Sequence, residues 1–277
     1  MWSDTLTSRE AEFTEGAIKA LRGIVWAQPV LNRLQQAGGL KSENMPLIFE
    51  VRFAYELHRA GKIAEYEHSA GVGDSTVEFC IPGDVTWLVE LVSIRTSQAA
   101  KKAVTQHGLL YQQILSSDAA DVAQSPEAEM ITAEQKIGEK VFANGVQTKF
   151  PQPAGNVYHV ILSDMRGYLD EGGDVFDYRQ MAYGPSGIPS QYSWTTHYWK
   201  TEAGKLEPIK GLFEKSCPLR AARFIQERIH FVGFVREQEY QDGEIPHKAY
   251  YLLNPHLLTN EQARKLYEAF PLRKSGV

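Results

Sequence analysis

The sequence predicts an α/β protein, and two observations support that prediction. Three runs with strand character follow one another, separated by turn-forming residues at 71–74 and 82–84. Stretches with helical spacing of apolar residues lie before and after these runs. The expected order along the chain is α-α-β-β-β-α-α-β, followed by an α/β tail. No linker within the 277 residues is long enough to predict two independent domains.

The first elements are expected to be helices. Residues 8–38 have apolar side chains at helical spacing, with a break expected near Pro29. A second helix is predicted to begin at Asn44 as N-cap, with Pro46 in its first turn, and to continue to Gly61.

The remaining elements follow from the same two periodicities. The sequence predicts strands over 62–69, 75–81 and 85–94, helices over 97–116 and 126–143, a strand over 157–162, a helix over 218–227, strands over 229–236 and 248–253, and a last helix from Thr259.

Composition limits the class of protein. Hydrophobic residues make up 43% and charged residues 23%, which excludes a disordered or fibrous chain. No apolar run is long enough to cross a bilayer and no leader peptide is evident, so we expect a cytoplasmic protein without a membrane partner. Cys80 and Cys217 lack metal-ligand spacing, which favours a reduced compartment. The net charge of −5 argues against a protein that binds nucleic acid through its overall positive charge. It still allows a local basic cleft that binds nucleic acid.

One charge interrupts an otherwise apolar strand. Glu90 is the only charged residue between Trp87 and Ile94, a run typical of a central strand covered on both faces. A carboxylate buried alone in such a strand normally becomes neutral or acquires a cation as partner. Glu90 is therefore a candidate site residue.

Two further acids are expected near it. If the turn after the second strand centres on Asp84, Glu78 and Glu90 face each other, with Cβ atoms about 5 Å apart. A hard divalent cation such as Mg²⁺ suits the gap between two such carboxylates. Glu50 borders the apolar stripe of the helix that precedes the sheet, which makes it a third candidate metal ligand. The alternative places Glu78 on the solvated side of an edge strand and Glu50 on an exposed helix flank.

These elements and acids resemble the PD-(D/E)xK nuclease superfamily over about residues 44–164. Glu50 matches the helix acid of that pattern, Glu78 in Val77-Glu78-Phe79 the first strand acid, and Glu90 in Val89-Glu90-Leu91-Val92 the second. The resemblance implies a restriction-endonuclease-like αβββαβ core with a mixed sheet. An N-terminal helical segment over 1–43 and an α/β extension over 165–277, packed on the core, complete the expected organisation.

The sequence departs from the family pattern at two points. Glu78 stands where Asp is usual, and the Pro-Asp pair of the family is absent. Asp74 either replaces the aspartate of that pair or is an ordinary loop residue. The lysine of the E-x-K element is replaced by Val92. In some members of the superfamily that lysine lies on the following helix, where this chain has Lys140 at the edge of the apolar stripe and Lys136 one turn earlier. Each of these lysines equally fits a solvated helix flank.

The resemblance implies a metal-dependent phosphodiesterase, and a DNA endonuclease in the first place. Glu50, Glu78 and Glu90 would hold Mg²⁺, or Mn²⁺ as its substitute, and Lys140 or Lys136 would complete the catalytic set. The alternative is a catalytically inactive nuclease-like scaffold or a nucleic-acid-binding protein, and a hydrolase acting on RNA or a nucleotide is a third interpretation. The expected partner is nucleic acid, preferably DNA, and a homodimer is left open.

Other residues suggest contacts to nucleic acid without deciding between that role and an ordinary structural one. The stretch 176–199 is rich in aromatic residues and fits either base stacking or core packing. The candidate phosphate contacts, each of which is also an ordinary surface charge, are Arg52, Arg95, Lys101, Lys102 and Lys149 near the expected cleft and Arg220, Arg223 and Arg228 in the C-terminal part.

Overall fold

The computed structural model describes residues 5–70, 73–102, 104–107, 110–113, 125–143, 147–169, 172–201 and 204–272. Its α-helices are α1 (Ser8–Leu21), α2 (Gln28–Gln36), α3 (Met45–Arg59), α4 (Gln98–Lys102), α5 (Pro126–Glu139), α6 (Val175–Tyr183), α7 (Arg220–Arg228), α8 (Glu244–Lys248) and α9 (Asn260–Ala269). Its strands are β1 (Glu65–Ser69), β2 (Thr76–Ile81), β3 (Thr86–Ser93), β4 (Val104–His107), β5 (Leu110–Gln113), β6 (Phe142–Ala143), β7 (Gln147–Thr148), β8 (Val157–Asp164), β9 (Tyr198–Lys200), β10 (Leu206–Pro208), β11 (Phe231–Val235) and β12 (Tyr250–Leu253).

A mixed six-stranded sheet organises the chain, in the order β1-β2-β3-β8-β11-β12. Strands β1, β2 and β3 pair in antiparallel fashion, whereas β8 lies parallel to both β3 and β11, and β12 returns antiparallel at the far edge. Strands β11 and β12 of the C-terminal part therefore extend the same sheet. Three short hairpins pair β4 with β5, β6 with β7, and β9 with β10.

Helices cover both faces of this sheet, because alternate residues of a strand point to opposite sides. Val89 and Leu91 of β3 pack in an apolar cluster with α2, α3 and α9. Leu88 and Val92 of the same strand pack in a second cluster with α5, α6 and α7. The α/β class predicted from the sequence is confirmed, and α3 and α5 lie in opposite layers.

The break in the N-terminal helical stretch is confirmed, although it lies earlier than predicted. Helix α1 ends at Leu21, and Gly23 follows with a positive φ of 85°, a conformation that favours glycine. A 3₁₀ turn over Val25–Ala27 then leads into α2, which has Pro29 in its first turn.

The helix predicted over 97–116 is wrong. Only α4 is helical, and β4 and β5 form a hairpin where the prediction continued the helix; residues 103, 108–109 and 114–116 lie outside the described part. The β-branched Val104 and Thr105 favour strand, while the alanines and lysines before them favour helix. None of the described helices is long and apolar enough to span a membrane.

Candidate functional site

The hairpin of β2 and β3 has the register predicted from its turn. Phe79 lies opposite Val89, and Ile81 lies opposite Trp87. The backbone pairing stops at Phe79, although both strands continue, so the two strands part at Glu78 and Glu90. We call this point the fork.

Side-chain hydrogen bonds replace the backbone ladder at the fork. The backbone N–H of Glu78 donates to Oε2 of Glu90 at 3.3 Å, and the N–H of Leu91 donates to Oε2 of Glu78 at 2.7 Å. Each carboxylate is therefore held by the opposite strand. Glu90 is fully buried and Glu78 almost so, and their carboxylates accept backbone N–H groups of the kind that bond to carbonyl oxygens in an ordinary sheet.

Lys140 brings a positive charge to the fork. It directly follows the last residue of α5, and its Nζ donates to Oε1 of Glu78 at 2.8 Å and to Oε1 of Glu90 at 3.3 Å. One ammonium group thus contacts both carboxylates, which places the two acids together as the sequence predicted. Lys136 does not join them, because its Nζ donates to the backbone carbonyl of Arg95 at 3.1 Å.

Lys149 is a second cation at the fork, and its role there was not predicted. It directly follows β7, and its Nζ donates to Oε1 of Glu90. Its backbone N–H donates to the carbonyl of Val141 at 2.8 Å, which fixes this segment beside the end of α5. The sequence suggested Lys149 only as a phosphate contact, because nothing in its local pattern points to Glu90.

Glu50 reaches the same region from the opposite layer. It lines a cavity of about 170 Å³ together with Lys140 and Ser93, although α3 and α5 stand on different faces of the sheet. Tyr66 of β1 donates its hydroxyl hydrogen to Oε2 of Glu50, and Nη1 of Arg33 lies 3.8 Å from the same oxygen. Glu50 is buried, so the alternative of an exposed helix flank is wrong.

Burial and neighbouring charges shift the pKa values of Glu50, Glu78 and Glu90. Burial, followed by the charge of Glu78, raises the pKa of Glu90 to about 8. The same two causes raise the pKa of Glu50 to about 7. Burial also opposes ionisation of Glu78, but the ammonium of Lys140 and the hydrogen bond with Glu90 hold its pKa below the ordinary value. Glu90 therefore keeps its proton to a higher pH than Glu78 does.

The predicted metal ligands are of the right chemical type, but the described residues do not place them close enough together to form a cation site. Carboxylate oxygens are the ligands that Mg²⁺ prefers. Within the described ranges, however, no three His, Cys, Asp or Glu side chains are grouped closely enough to hold a metal ion. The charge between Glu78 and Glu90 is instead balanced by Lys140 and Lys149. Metal binding at Glu50, Glu78 and Glu90 thus stays a prediction.

Arg52, suggested as a phosphate contact, is instead a buried structural residue. Its guanidinium donates to Glu10 of α1 at 2.7 Å and to Glu237, which follows β11, at 2.8 Å. Only 1% of its side chain is exposed. Burial alone would lower the pKa of Arg52, but Glu237 and Glu10 raise it above its ordinary value, so this charge stays fixed inside the protein.

The C-terminal arginines do not form one phosphate clamp. Arg223 is exposed and pairs with Glu227 one turn along α7. Arg228 donates to the carbonyl of Phe150 at 2.9 Å, and Arg220 lies over the ring of Phe142.

Core packing accounts for only part of the aromatic stretch. Tyr178 is buried and stacks on Phe234 with ring centroids 4.8 Å apart, as core packing requires. Trp194 is 79% exposed and Tyr198 is 46% exposed, so the second half of the stretch lies at the surface.

Comparison with known proteins adds no relative, because no family model, no curated protein and no solved structure matches the chain.

Proposed function

We propose that this protein is a metal-dependent phosphodiesterase that cuts nucleic acid internally, with DNA as the preferred substrate. The observation that supports it most directly is the contact of Lys140 with both Glu78 and Glu90 at the fork. Two strand carboxylates with one lysine beside them match the composition of the site that the family resemblance implies. Here the lysine comes from the helix instead of from position 92. The restriction-endonuclease-like core is part of this proposal, since α3, the β1–β3 meander, α5 and the parallel β8 follow in the αβββαβ order.

Each residue has a distinct role in the proposed reaction. Glu50, Glu78 and Glu90 would hold the divalent ion, which would polarise the scissile phosphate and make the attacking water more acidic. Lys140 stabilises the negative charge that develops on the phosphoryl oxygens. Lys149 pairs with Glu90 in the metal-free protein. Its side chain is 18% exposed, so it can turn toward solvent when the metal ion takes its place beside Glu90.

Metal binding is tested by thermal unfolding in Mn²⁺ and in Mg²⁺. We expect the melting temperature of wild type to rise with metal concentration, because an ion that binds only the folded state stabilises it. Glu90→Gln should lose this rise. Glu261→Gln, the same substitution on the exposed surface of α9, is the matched control and should retain it. The effect should be stronger at pH 9 than at pH 6, because Glu50 and Glu90 must ionise before they bind a cation.

Catalysis is tested by incubating the protein with supercoiled plasmid and Mn²⁺. We expect wild type to nick or linearise the plasmid, and Lys140→Met to slow cutting by about 10²–10³-fold, as for loss of another preorganised charge-stabilising group. Lys136→Met is the matched control on the same helix and should cut within about threefold of wild type. Equal rates for wild type and Lys140→Met would remove Lys140 from the proposed mechanism.

A second candidate function is a catalytically inactive, nuclease-like scaffold or nucleic-acid-binding protein. The observation that favours it is the pairing of Glu78 and Glu90 with two lysines, which balances the fork without any metal. This candidate predicts no metal-dependent rise in melting temperature and no plasmid cutting with any divalent ion. The two experiments above therefore separate it from the phosphodiesterase.

A further inference from the structure

A second cavity lies beside the fork, at the carboxyl ends of the parallel strands. It has a volume of about 210 Å³, and its lining includes Ser42, Ser93, Arg95, Lys101, Arg166 and Gly167. We call it the edge cavity. Ser93 also lines the cavity that contains Glu50 and Lys140, so the two cavities meet at this residue. Ligands of open α/β sheets bind at this edge of the sheet, outside the carboxyl ends of the strands.

The backbone around the edge cavity depends on a close approach of two loops. Ser93 and Asp164 pair as the last residues of β3 and β8. Just beyond them, the N–H of Gly167 donates to the carbonyl of Ile94 at 2.9 Å. A Cβ atom on Gly167 would lie only 2.2 Å from that carbonyl oxygen, so a residue without a side chain is required there.

The charges around the edge cavity favour an anion. Arg95, Lys101 and Arg166 line it, and Arg95 donates to the backbone carbonyl of Glu43, a neutral acceptor. Among the described residues, Arg95 forms no ion pair with a carboxylate. Arg166 contacts Glu10, which balances part of its charge.

Two acids, Glu43 and Asp164, also line the edge cavity, and Asp164 balances part of the charge of Arg166. Glu43 lies at its exposed rim. Asp164 is buried beneath Ser93, whose hydroxyl lies 3.4 Å from its Oδ2, and its Oδ1 accepts the backbone N–H of Arg166 at 3.1 Å. The hydroxyls of Ser42 and Ser93 add neutral polar groups to the lining.

We propose that the edge cavity binds a phosphate of the nucleic-acid strand being cut, close along the strand to the scissile phosphate at the fork. This inference rests on the proposed function. Three residues of extended strand, about 10 Å, separate Glu90 from Ser93, so a neighbouring phosphate of the same strand reaches the cavity. Arg95 and Lys101 supply its charge contacts, and the site adds affinity without reading sequence.

Binding without cutting tests the inference directly. Fluorescence anisotropy in EDTA measures the affinity of wild type for a labelled single strand and for a labelled duplex over a range of salt concentrations. We expect Arg95→Gln and Lys101→Gln each to weaken binding by about tenfold. Each should also lower the slope of log affinity against log salt by about 1, because one phosphate contact is lost.

Matched variants separate this site from general surface charge and from loss of folding. Lys102→Gln removes the neighbouring charge on α4, which is exposed and does not line the edge cavity, and it should bind within about twofold of wild type. Arg95→Lys keeps the charge and should keep the wild-type salt slope. Circular dichroism confirms that each variant is folded.

The possible outcomes distinguish this inference from the proposed function. Wild-type binding that is unchanged in Arg95→Gln and Lys101→Gln, or weakened equally in Lys102→Gln, overturns the edge cavity as a phosphate site. Plasmid cutting by wild type would still support the phosphodiesterase in that case. A wild-type protein that binds neither the strand nor the duplex and cuts no plasmid overturns the proposed function, and the edge-cavity inference with it.

Discussion

Replacing Lys140 by methionine should destabilise the metal-free protein in a way that depends on pH. The substitution keeps the length and most of the apolar stem of the side chain, but it removes the ammonium that contacts Glu78 and Glu90. Removing one partner of a buried ion pair typically costs about 3–5 kcal/mol of unfolding free energy. Lys140 is 28% exposed and Lys149 still contacts Glu90, so we expect a loss of about 2–3 kcal/mol at pH 8.

The sign of the pH dependence follows from Glu78. Lys140 helps to hold the pKa of Glu78 below its ordinary value, so this pairing stabilises wild type above about pH 4.5 and is lost at lower pH. In Lys140→Met the buried carboxylates lack this cation, their pKa values rise, and their ionisation destabilises the folded state as pH increases. The difference between variant and wild type should therefore be largest at pH 8 to 9 and should decrease as pH falls through the lowered pKa of Glu78.

Urea unfolding followed by circular dichroism at pH 4, 6, 8 and 9 measures this difference. Lys136→Met serves as the matched control, because Lys136 lies one turn earlier on α5 and contacts a backbone carbonyl instead of the fork. It should change the unfolding free energy by no more than about 1 kcal/mol at any of these pH values. Equal losses in the two variants, or a loss in Lys140→Met that is the same at pH 4 and pH 9, would refute the assignment of Lys140 to the fork.

Three further predictions concern the fork, the buried arginine and the edge cavity. The pKa of Glu90 is raised to about 8, so the stability that its protonated form contributes is complete below about pH 4.5 and is lost as pH rises through 8. In urea titrations at pH 9, Glu90→Gln should therefore be more stable than wild type. Arg52→Met should lower the unfolding free energy by about 3–5 kcal/mol, whereas Arg223→Met, at an exposed pair on α7, should leave it close to the wild-type value. Gly167→Ala should lower the unfolding free energy by about 1–3 kcal/mol, because its Cβ clashes with a backbone carbonyl. Gly16→Ala, in open space on α1, should raise it by about 0.5–1 kcal/mol. Melting temperatures of the two variants that shift in the same direction would contradict the packing described for Gly167.

The sequence was most informative where local rules determine geometry. A tight turn sets the register of the strands on either side, so the turn at 82–84 was enough to place Glu78 opposite Glu90. The apolar run around Glu90 identified a central strand, and the structure buries that residue completely. Helical periodicity then favoured Lys140 over Lys136.

Sequence reasoning was least informative where contacts join distant parts of the chain. Lys149 and Tyr66 reach Glu90 and Glu50 only through tertiary packing, which no local pattern encodes. Arg52 looked like a phosphate contact because a charged residue near an expected cleft is usually solvated. Its partners, Glu10 and Glu237, lie 42 and 185 residues away in sequence.

The helix predicted over 97–116 shows a different kind of limit. Alanine and lysine favour helix around Lys101, and the chain does form the short helix α4 there. The β4–β5 hairpin that follows depends on strand pairing, so a window dominated by helix-forming residues extended the helix too far.

The ion pair between Arg52 and Glu237 also has a consequence for the order of folding. Arg52 lies on α3, the helix that presents Glu50, and its partner is translated 185 residues later. At 5–20 residues per second, a ribosome needs roughly 10–40 s to cover that interval. Throughout this time α3 has Glu10 as a partner for Arg52 but lacks the second carboxylate that completes its burial. A nascent chain therefore completes the burial of Arg52 only after the strand that precedes Glu237 has joined the sheet, late in synthesis.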